Sequence, residues 1–375
     1  MSTIAIDATY VVDPRPTGVS VYSRRLIESL AELSTPHHFR IGYRASRWRR
    51  RKEFIRFKNY GAGNRPAVSS CFFQNPWTFW LPWRAELFHR LAQRPAPFRF
   101  HKEVVTILDV FPLAGRGYTS ASFERKFSAL LIKASERSDR IITPSQYTAD
   151  ELVRLVGVST DKMRVIPLGV DLPASAEPGF DPIFDPIRER ERWVGKGNEL
   201  VLVVGVIQTR KNTLGALRAL ERLPVNYRMV LVGGDGYGSK PVHDYIHKAM
   251  LGDRVKVLGY VGSSEVANLY RSASALFFPS FEEGYGLPVL EAMAYGLPVV
   301  ASGTSSLPEV GGDAALYVDP HDEGDMAGKI RQAVEDLELR KQMIRKGMLH
   351  ASEFTWRRVA EATLAVYDEV LAERH

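Results

Sequence analysis

Two glutamates eight positions apart, Glu283 and Glu291, flank a glycine-bearing turn, Gly284-Tyr285-Gly286-Leu287, and offer the clearest candidate chemistry in the chain. Before them Phe277, Phe278 and Pro279 close an apolar run with the character of a buried strand, and 287–295 repeats apolar residues at helical spacing. A strand, a glycine turn and a helix in that order bring the backbone N–H groups of 284–287 to a helix N-terminus, a natural anion site. Ligands of open parallel sheets bind outside the carboxyl ends of the strands, which is where this turn falls. Carboxylates at 283 and 291, the second about one turn into the helix, can accept hydrogen bonds from sugar or ribose hydroxyls while the N–H groups hold phosphate. Spacing alone fits better a capping glutamate followed by an exposed helical one. The longer string around the pair must decide.

Two series of alternating elements would position these residues. In the first half, strands are predicted at 4–8, 38–43, 104–108, 140–143 and 163–167, with helices at 19–33 and 123–138 and a short one opened by Ser145. Residues 172–198 carry Pro173, Pro178, Pro182 and Pro186 among several charges and read as a linker with a short helix. A second series follows, with strands at 200–206, 228–232, 255–258, 275–279 and 298–301. Its helices are predicted at 213–222, 241–250, 263–272 and 287–295. Strands alternating with helical crossovers make parallel sheets. The expected architecture is α/β, with two Rossmann-like domains facing across a cleft: 1–170, a linker at 171–198, and 199–355. An amphipathic segment at 356–373 could pack on either.

Composition agrees with two packed cores. The chain has 375 residues, 45% apolar and 25% charged, more than one ordinary core would use. Cys71 is the single cysteine, so neither an intrachain disulfide nor a cysteine-rich zinc site can form. Asp319, Asp322 and Asp325 read as helix caps, and no metal site is expected. The opening residues show no basic and apolar leader, and no stretch reaches the roughly 18 apolar residues of a membrane span. A cytoplasmic protein is expected. The net charge of +7 is uneven: Arg44, Arg47, Arg49, Arg50, Arg51, Lys52, Arg56 and Lys58 crowd 44–58, with Trp48, Phe54, Ile55 and Phe57 between them. That run suits a solvated surface element, or a patch meeting anionic lipid or a phosphate-bearing acceptor. No nucleic-acid-binding signature accompanies it, and nucleic acid is not expected as a partner.

The string 277–300, extended through Ala301-Ser302-Gly303-Thr304-Ser305-Ser306-Leu307-Pro308-Glu309 and on to Pro320, closely resembles the signature of the retaining GT-B glycosyltransferases of family 4. The mark of that family is two glutamates separated by seven residues after a short strand. By this resemblance the chain moves a sugar from a nucleotide-sugar co-substrate to a glycan or lipid-linked acceptor, with no separate cofactor and no metal. Glu283 is then expected to contact donor-sugar hydroxyls, with the amides of Gly284, Tyr285 and Gly286. Glu291 would hold the ribose, and Leu287 would line ribose and phosphate. After the strand ending at Gly205, Arg210 and Lys211 fill the role of the basic residues that stabilise the departing diphosphate, whose negative charge grows as the bond breaks. Family members commonly carry arginine directly after that glycine; here Val206 stands there.

The resemblance reaches the first half through Pro16-Thr17-Gly18-Val19, where Gly18 would let backbone approach the donor closely. It continues in Thr106-Ile107-Leu108-Asp109, where the family usually has Thr-Ile-His-Asp. Asp109 is kept, whereas Leu108 replaces a histidine that usually reaches the donor sugar. Arg210-Lys211-Asn212 and the Gly18 loop look most like the polysaccharide mannosyltransferase branch, which favours a GDP-sugar over a UDP-sugar. A sugar-nucleotide epimerase of the same architecture and a non-catalytic basic membrane-surface protein are the alternatives.

Overall fold

The computed structural model describes residues 2–13, 17–55, 67–73, 85–93, 100–173 and 184–373. It divides into two units. The first comprises Met1–Ala114, Ala121–Gly169 and Thr355–His375, the second Gly115–Ser120 and Val170–Phe354.

The first unit is built on a parallel sheet of β1 (Thr3–Asp7), β2 (His38–Arg44), β3 (Ala67–Phe73), β4 (Leu87–Arg90), β5 (Lys102–Thr106), β6 (Arg140–Thr143) and β7 (Met163–Val165). Their spatial order is β3-β2-β1-β4-β5-β6-β7. The second is built on β8 (Glu199–Val204), β9 (Tyr227–Val232), β10 (Val255–Gly259), β11 (Ala275–Phe278), β12 (Val299–Ser302) and β13 (Ala315–Val318), in the order β10-β9-β8-β11-β12-β13. Every pairing is parallel. Parallel strands need crossover connections and bury both faces, so Leu200-Val201-Leu202-Val203 is an unbroken apolar run rather than an alternating one. In each sheet the chain builds outward on one side and then returns to the other side of its first strand. The reversal falls between β1 and β4 in one unit and between β8 and β11 in the other.

Three strands escaped the sequence pattern: β3, β4 and β13, together with the helices Glu323–Glu335 and Leu337–Ser352. β4 shows why. Its residues Leu87-Phe88-His89-Arg90 are all buried, yet half are polar. Arg90 donates to Ser138 Oγ at 2.6 Å and pairs with Glu103 at 3.2 Å. His89 contacts Thr106 Oγ1 at 2.9 Å and the Tyr367 hydroxyl at 2.6 Å. Buried polar groups with partners are tolerable, but they erase the hydrophobic signature of a central strand.

The helix Trp356–Ala372, left open between domains by its sequence, belongs to the first unit. Tyr367 anchors it to His89, and Lys102 Nζ caps its end by donating to the carbonyls of Val370 (2.6 Å) and Glu373 (2.7 Å). Residues 115–120 fall with the second unit rather than inside an uninterrupted 1–170 segment, because Arg116 and Tyr118 pack against Glu282 and Phe281.

Candidate functional site

At the reversal point of the second sheet, the loops leaving β8 and β11 meet. β8 runs into Gly205, whose φ of +144° turns the chain beside Gly233, φ +142°. A Cβ on Gly233 would stand 2.0 Å from the Gly205 carbonyl oxygen, so only glycine allows the two strand ends this approach. A single turn of 3-10 helix, Thr209–Lys211, follows and ends at Asn212, which adopts the left-handed conformation. The Asn212 side chain caps the next helix by accepting from Gly215 N at 3.2 Å and donates to the Pro320 carbonyl at 2.7 Å. Arg210 and Lys211 are thereby held on a short, doubly tethered turn.

The loop after β11 is tied to that turn directly, since Phe281 N donates to the Arg210 carbonyl at 2.9 Å. Residues of 304–306 hold its far side. Glu283 N donates to Ser305 Oγ at 3.0 Å, and Ser306 Oγ lies 2.9 Å from the Glu283 carbonyl and 2.6 Å from that of Tyr285. Gly286, φ +119°, then opens the helix Leu287–Ala294. Pro288 has no N–H and Val289 N donates to the Gly286 carbonyl at 2.9 Å. Pro288 and Val289 therefore offer no free donor at this helix start.

Glu283 joins the two loops electrostatically. Its Oε2 accepts from Arg210 Nη1 at 2.8 Å and its Oε1 from Lys211 Nζ at 2.5 Å. Arg210 and Glu283 are 6% and 5% exposed, so this is a buried pair with a second cation attached. Burial on its own would raise the Glu283 pKa; the charges of Arg210 and Lys211 outweigh it and hold the carboxyl at about 2. Arg210 Nη1 also donates to the Glu282 carbonyl, and Lys211 Nζ lies 4.6 Å from the centre of the Phe278 ring. Each carboxylate oxygen keeps acceptor capacity beyond its one cation.

Two family models match the chain: "Glycosyltransferase Family 4" over residues 16–173 and "Glycosyl transferases group 1" over residues 186–350, well over half the chain between them. The chain belongs to the group 1, family 4 glycosyltransferases. It is 29% identical over 275 residues to the O-antigen chain mannosyltransferase B of Escherichia coli, covering 72% of this chain and 71% of that one. It is 32% identical over 242 residues to a D-inositol 3-phosphate glycosyltransferase of Paenarthrobacter aurescens, covering 62% of this chain and 58% of the relative. Among solved structures, sucrose-phosphate synthase from Thermosynechococcus elongatus superposes with a TM-score of 0.75 at 20% identity, over 99% of this chain and 100% of that one. Anabaena HepE in complex with UDP-glucose superposes at 0.72 and 16% identity, over 98% and 100%. These likenesses identify the two Rossmann-like sheets as the GT-B fold.

Not every sequence-predicted residue of the glycosyltransferase joins this cluster. Gly205, Arg210, Lys211, Glu283, Gly284, Tyr285, Gly286 and Leu287 lie along the two linked loops. Glu291, further along the helix, accepts from the Tyr270 hydroxyl at 2.8 Å, and Tyr270 stacks with Tyr295 at 5.7 Å. Burial raises the Glu291 pKa, Tyr270 opposes the shift and Asp171 adds to it. Gly18 and Asp109 belong to the first unit. Gly18 is the exposed first residue of the helix Gly18–Leu30, and Asp109 accepts from Phe111 N at 2.9 Å. Leu108 is half-buried. Val206, in the position where arginine is common, is 42% exposed.

The basic run needs one correction. Arg44 is not part of a surface patch: it ends β2, is 8% exposed, and lies 3.9 Å from Asp7. Asp7 is a buried carboxylate that draws a cation inward. Arg50 donates to the Val12 carbonyl at 3.1 Å, whereas Arg49 and Lys52 are exposed. Arg56 and Lys58, and the side chains of Trp48 and Arg51, lie outside the described residues, as does Pro16. Sequence reasoning passed over Glu282, Tyr270 and Ser306. Only Glu282 carried a signal, its adjacency to Glu283.

Proposed function

We propose that this glycosyltransferase moves a sugar, with retention of anomeric configuration and without a metal, from a GDP-sugar to a glycan or lipid-linked acceptor. The observation that carries the reading is the buried Arg210–Glu283–Lys211 bridge at the point where the strand order of the second sheet reverses. An open α/β sheet binds nucleotides at this point, and here it carries two fixed cations beside a helix N-terminus. As the bond from the anomeric carbon to the phosphate oxygen breaks, negative charge collects on the diphosphate. Preorganised cations stabilise that charge at no reorganisation cost. The acceptor oxygen forms the new bond from the same face, and its proton passes to the departing phosphate. No protein nucleophile is needed.

In this reading Glu283 orients donor-sugar hydroxyls, the amides of Gly284 to Leu287 and the bend at Gly205 receive the diphosphate, and Glu291 accepts from the ribose. The guanine preference is supported by likeness to a relative named as a mannosyltransferase. The uridine nucleotide in Anabaena HepE belongs to a protein of the same fold at 16% identity. Attachment to an anionic membrane surface through Arg47, Arg49 and Lys52 would bring the enzyme to a lipid-linked acceptor. Among the described residues no helix is long and apolar enough to cross a membrane.

A thermal-shift series over GDP- and UDP-sugars tests the proposal. A ligand at a hundred times its dissociation constant adds about 2.7 kcal/mol of stability. GDP-mannose is expected to give the larger shift. A larger shift with UDP-sugars removes the guanine assignment, and no shift with any nucleotide sugar removes the whole reading. Transfer unchanged by EDTA is expected; abolition by EDTA that added divalent cation restores would overturn the metal-free mechanism.

A further inference from the structure

Glu291, the second carboxylate of the glycine turn, is gripped from a neighbouring helix. Tyr270 lies on the helix that precedes β11 (Ser263–Ser272) and Glu291 on the one that follows it (Leu287–Ala294). Tyr270 is 3% exposed, and its hydroxyl donates to Glu291 Oε2 at 2.8 Å. An ionised carboxylate has no proton to give, so its chemistry fixes the direction of this bond. Burial first, and then Glu291, push the Tyr270 phenol well above its ordinary pKa, so it stays protonated and remains a donor. The Tyr270 ring is held as well, stacked on Tyr295 with 5.7 Å between centres and 19° between planes. Tyr295 N donates to the Glu291 carbonyl at 3.2 Å, which puts Glu291 and Tyr295 one helical turn apart on the same face. Tyr270 touches both, its hydroxyl on the carboxylate and its ring on the other ring. Glu291 Oε1 accepts no hydrogen bond among the described residues.

We propose that Tyr270 is a positioning residue for the donor's ribose, acting through Glu291, and that it sets the preference of the site for nucleotides that carry ribose hydroxyls. This rests on the reading of Glu291 as the ribose acceptor. A loose glutamate side chain must be ordered when its ligand arrives, and that ordering costs affinity. With Oε2 anchored to a buried phenol, the carboxylate is ordered on folding and Oε1 is left for a hydroxyl donor. Tyr270 also keeps the carboxylate ionised. Burial and the charge of Asp171 both push Glu291 towards its protonated form, and the Tyr270 hydrogen bond opposes them. An ionised acceptor holds a hydroxyl more strongly than a neutral one. Removing the Tyr270 hydroxyl therefore takes away the anchor and this opposing influence together. The effect is selective, because only a ligand with ribose hydroxyls has something to offer Oε1.

The test is calorimetric titration of the full chain with GDP and with UDP, each against its 2′,3′-dideoxy analogue. Tyr270→Phe is expected to weaken binding of the preferred ribonucleotide about tenfold, within the range of coupling between residues in contact, and binding of its dideoxy analogue by less than about twofold. Glu291→Ala should show the same selectivity, and adding Tyr270→Phe to it should change either affinity by less than about twofold. Thermal unfolding checks that each variant is folded, and near-wild-type binding of the dideoxy analogue checks that its site is intact. If Tyr270→Phe weakens both ligands equally, or neither, while Glu291→Ala is selective, Tyr270 only packs beside Glu291. The inference is then overturned and the proposed function stands. If Glu291→Ala weakens both ligands equally, the ribose role of Glu291 falls and the inference with it. A wild type that binds neither GDP nor UDP overturns both the inference and the proposed function.

Discussion

Arg210 and Glu283, 73 positions apart in the chain, meet at 2.8 Å across the gap between the central strands β8 and β11. Lys211 closes on the other oxygen of the same carboxylate. One carboxylate therefore fixes two cations at the strand ends to which the proposed function brings the diphosphate, and removing each partner is expected to have a different kinetic signature.

Arg210→Ala and Lys211→Ala should lower turnover more than donor affinity, because leaving-group charge develops only in the transition state. Each is expected to cost about 2.7–4 kcal/mol of barrier, the scale of a lost oxyanion donor. Steady-state kinetics decide it: unchanged kcat in both variants removes them from the leaving-group site. Glu291→Ala, by contrast, should raise the donor KM with little change in kcat.

Glu283 also leaves a mark on stability. With its folded pKa at about 2, below the ordinary 4.5, its ionised form is stabilised by folding. That contribution is fully present above the ordinary value and drains away as pH falls from 4.5 towards 2. Melting temperature followed through this window should fall more steeply for wild type than for Glu283→Gln. Parallel curves would mean that the bridge is not formed in solution.

The resemblance to the family gives position 108 an expected bearing on donor choice. A leucine where related sequences commonly have histidine cannot pair with a primary hydroxyl, and burying that hydroxyl unpaired costs about 1–3 kcal/mol. A 6-deoxy or pentosyl donor is expected to serve at least as well as its hexose counterpart, and Leu108→His should shift preference to the hexose. A wild type whose kcat/KM favours GDP-mannose over its 6-deoxy analogue by about tenfold, or roughly 1.4 kcal/mol, would refute this.

For membrane attachment, Arg49 and Lys52 are the exposed cations to change, since Arg44 and Arg50 are engaged with Asp7 and Val12. Arg49→Glu with Lys52→Glu should reduce co-sedimentation with anionic vesicles and leave GDP binding intact. Binding of the wild type should itself decline as salt rises. Equal sedimentation of variant and wild type would make the run a solvated face.

The anchor of the last helix can be probed without touching the site. Tyr367→Phe leaves a nitrogen of His89 without its partner; burial lowers the pKa of this imidazole to about 3, so it is neutral. A loss of about 1–3 kcal/mol in denaturant unfolding is expected. His89→Leu combined with Tyr367→Phe should recover part of it, and a neutral single variant would show that the pair does not hold the helix.

Much of this protein was already determined by local sequence. Every strand of the second sheet but β13 was legible, because most are apolar runs between amphipathic helices, and the predicted ends of β9 to β12 differ from the observed ones by a residue or two. The strand, glycine turn and helix over 275–294 were legible because glycines mark the place where an apolar run gives way to helical spacing. Three things were not. β4 hid because His89 and Arg90 are buried with partners from β5 and two helices, and no neighbouring residue announces those partners. Arg44 looked like one more surface cation until Asp7, 37 positions earlier, appeared across two adjacent strands. The joining of Arg210, Lys211 and Glu283, and the capture of Glu282 by Arg116, depend on strand order. Local patterning says that strands exist; only the packed sheet decides that β8 and β11 lie side by side, and so which charges share a carboxylate.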